Sequence, residues 1–290
     1  MPDTAPPPNR FGVITAVLIL YFVWGSTYYA NKLAIASVEP FPMLSARFVA
    51  AGALLYGALR VRGVPNPTRA QWLGSGTAGV LLLNGGLGMV VFAQQWVASS
   101  LAAIIVATMP LWLALFVRFL GEKTRPLEVL GMLLGLGGVA LLNGEADVRA
   151  HPLALLVFVG PIAWAFGSAY SRKLTQARGL MASAVQMLVA GSGFVLLSLV
   201  TRAEVSAPTL SSGLAVIYLV VFGSIVGYSA YVYLLEQRVR PALATSYAYV
   251  NPLIAVLIGV GLGGERISSL GYAGTGVILL GVVLVVTRKG

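Results

Sequence analysis

Long unbroken apolar stretches, each closed by a short polar or basic connection, make up this chain from residue 11 onward. Ten are read, at about 11 to 33, 42 to 60, 72 to 96, 101 to 120, 126 to 143, 152 to 174, 180 to 200, 210 to 235, 242 to 263 and 269 to 287. Each runs about 18 to 25 residues, the length at which a helix rising about 1.5 Å per residue crosses a hydrocarbon core of about 30 Å. Polar and apolar residues do not alternate at period two, as the strands of an outer-membrane barrel require. The pattern predicts an all-α integral membrane protein of ten transmembrane helices.

The stretches fall into two copies of one unit. Gln95, Val97, Leu101, Ala102 and Pro110 reappear 142 residues later as Gln237, Val239, Leu243, Ala244 and Pro252. Glu122 and Gly131 reappear at a spacing of 143 as Glu265 and Gly274, and Gly25, Ser26 and Tyr28 at 142 as Gly167, Ser168 and Tyr170. The units are therefore read as 11–144 and 152–287, five spans each, behind a Pro-rich polar tail over 1–10 that is expected to be disordered and not a cleavable signal. A unit with an odd number of spans leaves on the side opposite to its start, so the second copy must insert upside down. Duplication inside an apolar chain is a transporter signature.

Basic residues orient the spans. With the first span running outward, fourteen lie at inner ends: Arg10, Arg60, Arg62, Arg69, Arg118, Lys123, Arg125, Arg172, Lys173, Arg178, Arg238, Arg240, Arg288 and Lys289. Only Lys32, Arg149, Arg202 and Arg266 lie outside, and Arg47 falls within a span. This alternation predicts cytoplasmic termini and an even number of spans. Composition agrees, with 58% hydrophobic residues, 10% charged and a mean hydropathy of +0.88. The net charge of +10 is a topology signal spread over many connections, so no nucleic-acid partner is expected. The absence of cysteine rules out disulfides and thiolate metal sites. No cofactor or metal is expected.

The nine acids, Asp3, Glu39, Glu122, Glu128, Glu145, Asp147, Glu204, Glu236 and Glu265, all fall at span ends, connections or the tail. Proton and sodium relays need ionisable groups in mid-span, so strong proton coupling through a carboxylate is not expected. The only histidine, His151, reads as a solvated loop side chain. What remains near span centres is neutral and aromatic. Trp24 and Trp164 are too deep for the interfacial belt. Asn84 precedes Gly85 and Gly86, where a ligand or a neighbouring backbone can approach closely, and it serves equally as cavity lining or as a tie between helices. Tyr228 and Tyr231 share a helical face that Tyr233 leaves. Tyr247 and Asn251 precede Pro252. With Tyr28 these groups form the predicted substrate-binding set, and each aromatic has packing between helices as its alternative.

Pro110 and Pro252 stand at equivalent points of the fourth and ninth spans. Each leaves the carbonyl four residues earlier, at Val106 and Ala248, without its usual partner, and they read as paired hinges or as static bends. Arg47 lies about five residues inside the second span, roughly 7 to 8 Å deep. Snorkelling to the outer headgroups, towards Glu39, is one account, and contact with a substrate carboxylate or a gate pair is the other. Glu122 and Glu265, beside Lys123 and Arg266, read as structural end pairs. Glycine spacings such as Gly131 with Gly135 and Gly223 with Gly227 suit close packing within the bundle, so no oligomer is required.

Trp24-Gly25-Ser26-Thr27-Tyr28, then Lys32 and Ala46-Arg47-Phe48, resembles the start of an EamA-type unit, and Leu101-Ala102-Ala103 through Pro110-Leu111 to Gly121-Glu122-Lys123 resembles its end. Leu243-Ala244-Thr245, Pro252-Leu253 and Gly264-Glu265-Arg266 repeat the latter in the second copy. The chain thus resembles the ten-helix drug/metabolite transporter superfamily over residues 11 to 287, and within it the YddG-type amino-acid exporters. The resemblance implies a multi-pass protein of a bacterial inner membrane that moves amino acids outward, hydrophobic or aromatic ones included.

An enzyme is not expected, because no HExxH, no paired aspartates in a span and no phosphate-cradling GxxxxGK[ST] loop is present. A passive channel would need a polar stripe, whereas the span centres are mostly Val, Leu, Ala and Gly. A secondary transporter for small neutral or zwitterionic metabolites fits the residues, with lipophilic drugs or other metabolites as the competing cargo. The expected partners are that solute and the lipid bilayer.

Overall fold

The computed structural model describes residues 10–119, 130–131, 133–135, 137–138, 141, 151–237 and 247–286, and every regular element among them is a helix. The helices are α1 (Arg10–Ala34), α2 (Pro40–Val61), α3 (Arg69–Ala93), α4 (Ser99–Val106), α5 (Met109–Phe119), α6 (Pro152–Ser171), α7 (Leu180–Val200), α8 (Leu210–Glu236), α9 (Tyr247–Gly261) and α10 (Ser269–Val286). Seven stretches are long and apolar enough to cross a membrane, the α4–α5 pair counting as one, and α9 and α10 add shorter apolar helices. The predicted fifth span, 126 to 143, lies mostly outside the described residues, as do the tail over 1–9 and Glu122, Lys123 and Leu243.

Local chemistry sets the helix starts. Thr68 accepts from the Gln71 backbone at 3.3 Å while the Gln71 side chain accepts from the Thr68 backbone at 2.9 Å, a reciprocal cap that opens α3. Thr209 accepts from Ser212 N at 3.3 Å at the start of α8. Pro40 and Pro152 occupy first-turn positions, where a missing N–H costs nothing. Large apolar side chains such as Phe11, Phe22, Leu54, Leu196 and Leu257 stand open on the outer surface, as helices facing hydrocarbon require.

α2 and α7, the second and seventh predicted spans and hence equivalent in the two copies, cross at backbone contact. A Cβ on Gly52 would stand 2.8 Å from Leu188 N, and one on Gly191 would stand 2.8 Å from Val49 N. Any larger residue would push the helices apart.

Connections tie together in two groups. In one, Glu39 accepts from Glu204 N at 3.1 Å, Ser37 Oγ from Thr209 N at 3.0 Å, Lys32 donates to the Gln94 carbonyl at 2.6 Å, and Glu265 meets Ser99 and Ser100. In the other, Ala177 N donates to Ser75 Oγ at 3.0 Å, Gln186 to Gln176 at 2.7 Å and Gly179 N to Glu236 at 2.5 Å. The first group holds connections predicted to lie outside and the second those predicted inside.

Three helices contain wide π-helical turns: Leu20–Trp24 in α1, Val80–Gly88 in α3 and Leu219–Tyr228 in α8. Those of α3 and α8 occupy matching places in the two copies. Such turns mark functional segments more often than ordinary helix does, and all three border one cavity.

Candidate functional site

The cavity takes residues from both copies, among them Trp24, Tyr28, Arg47, Gly86, Trp164, Tyr228 and Tyr247. Counted out to open solvent it holds about 670 Å³ of empty space. Helical spacing explains the α1 wall. Trp24, Thr27, Tyr28 and Asn31 stand at i, i+3, i+4 and i+7, one face of a helix, and all four line the space.

The two tryptophans meet edge to face, with ring centroids 5.6 Å apart and planes at 89°. Tyr247 stands against Trp24 in the same way at 5.2 Å. Such pairs are worth about 0.5 to 1.5 kcal/mol beyond burial, and their polar tips are fixed. Trp24 Nε1 donates to the Gly223 carbonyl at 3.3 Å, and Trp164 Nε1 to Tyr231 OH at 3.2 Å. Tyr231 OH also meets Ser168 Oγ at 2.9 Å, and Tyr228 OH donates to Gln186 at 2.5 Å. Glycine makes the room: a Cβ on Gly86 would stand 2.8 Å from Trp164 Cε3.

Of the residues expected to bind substrate, Trp24, Tyr28, Trp164, Tyr228 and Tyr247 line the cavity, and Tyr231 stands behind the tryptophans, its ring 5.3 Å from that of Trp24. Asn84 and Asn251 do not line it. Asn84 donates to the Ala190 carbonyl at 3.0 Å and so ties α3 to α7. The Asn251 amide, oriented to satisfy its neighbours, donates to the carbonyls of Leu20 and Tyr21, both at 3.1 Å, clamping α9 to the π turn of α1. Gly85 faces Ala163, away from the lining. Pro110 follows a break, since α4 stops at Val106 and α5 starts at Met109, and both of those residues line the cavity. Pro252 differs, because α9 runs through it unbroken.

Three expectations are corrected. Arg47 does not reach outward. It is 3% exposed, lines the cavity and donates through Nε to Ser224 at 2.8 Å and through Nη1 to Asn31 at 3.0 Å, while Glu39 is engaged by Glu204 N. Two neutral acceptors inside the bundle hold its head. Glu265 bonds not Arg266 but the start of α4, accepting from Ser99 N and Oγ at 2.8 and 2.7 Å and from Ser100 N and Oγ at 3.0 and 2.6 Å. Burial raises the Glu265 carboxyl pKa, but these bonds from Ser100 and Ser99 outweigh it and leave the value lowered; free N–H groups and the positive end of a helix favour the carboxylate. His151 is stacked rather than free in solvent, its ring 4.3 Å from that of Trp96 at 4°.

Thr27, Asn31, Met109 and Pro161 line the cavity without having been singled out. The i+7 relation of Asn31 to Trp24 was the available signal for the first two. Nothing comparable marks Met109 or Pro161.

Comparison with known proteins agrees with this architecture. The EamA-like transporter family profile matches residues 10–144 and again 151–287. The chain belongs to the EamA-like transporter family, within the drug/metabolite transporter superfamily, and is a multi-pass inner-membrane protein. It is 45% identical over 277 residues to the uncharacterized inner membrane transporter YedA of Escherichia coli K12, covering 94% of this chain and 90% of that one. A WAT1-related chloroplastic protein of Arabidopsis thaliana is 25% identical over 297 residues, covering 95% of this chain and 70% of that one. One solved crystal structure superposes with a TM-score of 0.69 at 22% identity over 95% of this chain and 96% of that one, a likeness of fold.

Proposed function

We propose that this transporter exports small neutral or zwitterionic metabolites, above all amino acids with hydrophobic or aromatic side chains, by alternating access around the Trp24–Trp164 cavity. The observation that carries this reading is the cavity wall itself. Edge-to-face rings from α1, α6 and α9 offer apolar faces to a side chain, and the polar groups beside them, Asn31, Thr27 and Arg47, offer hydrogen bonds to a head group.

Two inverted five-span copies, 11–144 and 152–287, suit that cycle. Equivalent helices cross at α2 and α7, equivalent π turns border the cavity in α3 and α8, and connections tie into an outer and an inner group. Rocking one copy against the other would open the shared cavity to either side. No carboxylate is among its described lining residues, which favours transport without strong proton coupling.

Counterflow in vesicles reconstituted with the purified protein tests the reading. Labelled phenylalanine, tryptophan and leucine should exchange against the same amino acid inside, and collapse of the pH gradient should cost little flux. Failure of every neutral amino acid to exchange, with lipophilic cations or drugs moving instead, would assign the cavity to another cargo.

A further inference from the structure

Arg47 is a buried cation without a counter-ion among the described residues. Its Nε and Nη1 bond the neutral side chains of Ser224 and Asn31, and Nη2 has no hydrogen-bond partner among the described residues. The described acids cannot serve it. Glu39 accepts from Glu204 N, Glu236 from Gly179 N and Glu265 from the start of α4, and Glu204 itself is exposed. By sequence the remaining five acids, Asp3, Glu122, Glu128, Glu145 and Asp147, belong to the tail, connections or span ends. A guanidinium taken from water into a bundle without an anion is strongly unfavourable unless it borders a wet cavity or meets an anionic ligand.

We infer that Arg47 is the anchor for a carboxylate of the transported solute, and that this carboxylate, more than any amine, is the group the site requires. The inference rests on the proposed reading only in placing the solute in this cavity. Ser224 and Asn31 hold two of the three nitrogens and so orient the planar head, leaving Nη2 to donate to the incoming oxygen. Space exists at that nitrogen because residue 223 is glycine: a Cβ there would stand 3.0 Å from Nη2. The body of the solute then lies along Trp24, Trp164 and Tyr247. An ammonium finds ring faces and neutral acceptors but no carboxylate among the described lining residues, so the site tolerates an amine without demanding one.

Three small probes separate the two head groups on the purified protein, read by quenching of intrinsic tryptophan fluorescence: phenylalanine, 3-phenylpropionate, which lacks the amine, and phenethylamine, which lacks the carboxylate. Phenylpropionate and phenylalanine should bind and phenethylamine should not. Arg47→Gln should weaken both carboxylates by about tenfold or more, a change of about 1.4 kcal/mol or more, and Arg47→Lys should restore part of the loss. Ser224→Ala, which keeps the charge and frees its head, should weaken them by a smaller factor. If Arg47→Gln does not fold, as judged by thermal unfolding, the probe series on the wild-type protein decides alone. The inference is overturned if phenethylamine binds as tightly as phenylpropionate, if phenylpropionate does not bind the wild type, or if folded Arg47→Gln binds unchanged. Binding of phenylpropionate without phenylalanine supports the anchor and removes the amino-acid reading. Binding of phenylalanine that survives Arg47→Gln does the reverse.

Discussion

Gly227 stands where any side chain would strike Trp24: a Cβ there would lie 2.6 Å from the indole Nε1 and 2.8 Å from Cδ1. The same nitrogen donates to the Gly223 carbonyl, one turn earlier in α8. The glycine pair therefore sets how closely α8 approaches α1, and with it the position of the ring that walls the cavity. Gly227→Ala should displace Trp24, lower flux in counterflow by about tenfold and shift the tryptophan emission, at a stability cost of roughly 1 to 3 kcal/mol. Normal flux with an unshifted spectrum would show that the ring position is not controlled here.

Glu265 fastens the second copy to the first at the start of α4. Because its pKa is lowered in the folded protein, the stabilisation is complete above the ordinary glutamate value and is lost as pH falls through the lowered one. Glu265→Ala should reduce thermal stability at neutral pH by about 0.5 to 2 kcal/mol, as loss of a helix cap does. The gap between the wild type and the variant should narrow on acidification below the ordinary carboxylate range. A gap constant from neutral to strongly acidic pH would contradict the latch.

Asn84 ties α3 to α7 outside the cavity lining. Asn84→Ala should cost about 0.6 to 2 kcal/mol of stability, the worth of an interhelical hydrogen bond in a membrane bundle. Ligand affinity measured by fluorescence should be unchanged. A large loss of affinity with normal stability would place Asn84 in the site instead.

Much of this fold is written in hydrophobic length and charge. The first predicted span, 11 to 33, is observed as Arg10–Ala34, and the seventh, 180 to 200, as Leu180–Val200, because a long apolar run has few ways to satisfy its backbone except as a helix. The site was legible where chemistry is conspicuous, as at Trp24 and Trp164. It was less legible where a residue's role depends on which helix it faces. Arg47 reads as a snorkelling cation until α1 and α8 supply Asn31 and Ser224, which come from 16 and 177 residues away in the chain. Repeat symmetry is also a poor guide at the start of the second copy. The counterparts of Trp24 and Tyr28 are Phe166 and Tyr170, which are 41% and 38% exposed and stack on each other at 5.7 Å. Trp164, two residues earlier, takes the inward place.

The central claim is that two copies of one unit insert with opposite polarity around a shared cavity. Arg62 and Glu204 stand 142 residues apart at equivalent helix ends, both exposed, in a chain without cysteine. Single Arg62→Cys and Glu204→Cys variants, labelled in intact cells with a membrane-impermeant maleimide, test the claim most directly. The cysteine at 204 should react from outside and the one at 62 only after the membrane is opened; labelling of both from the same side would contradict it.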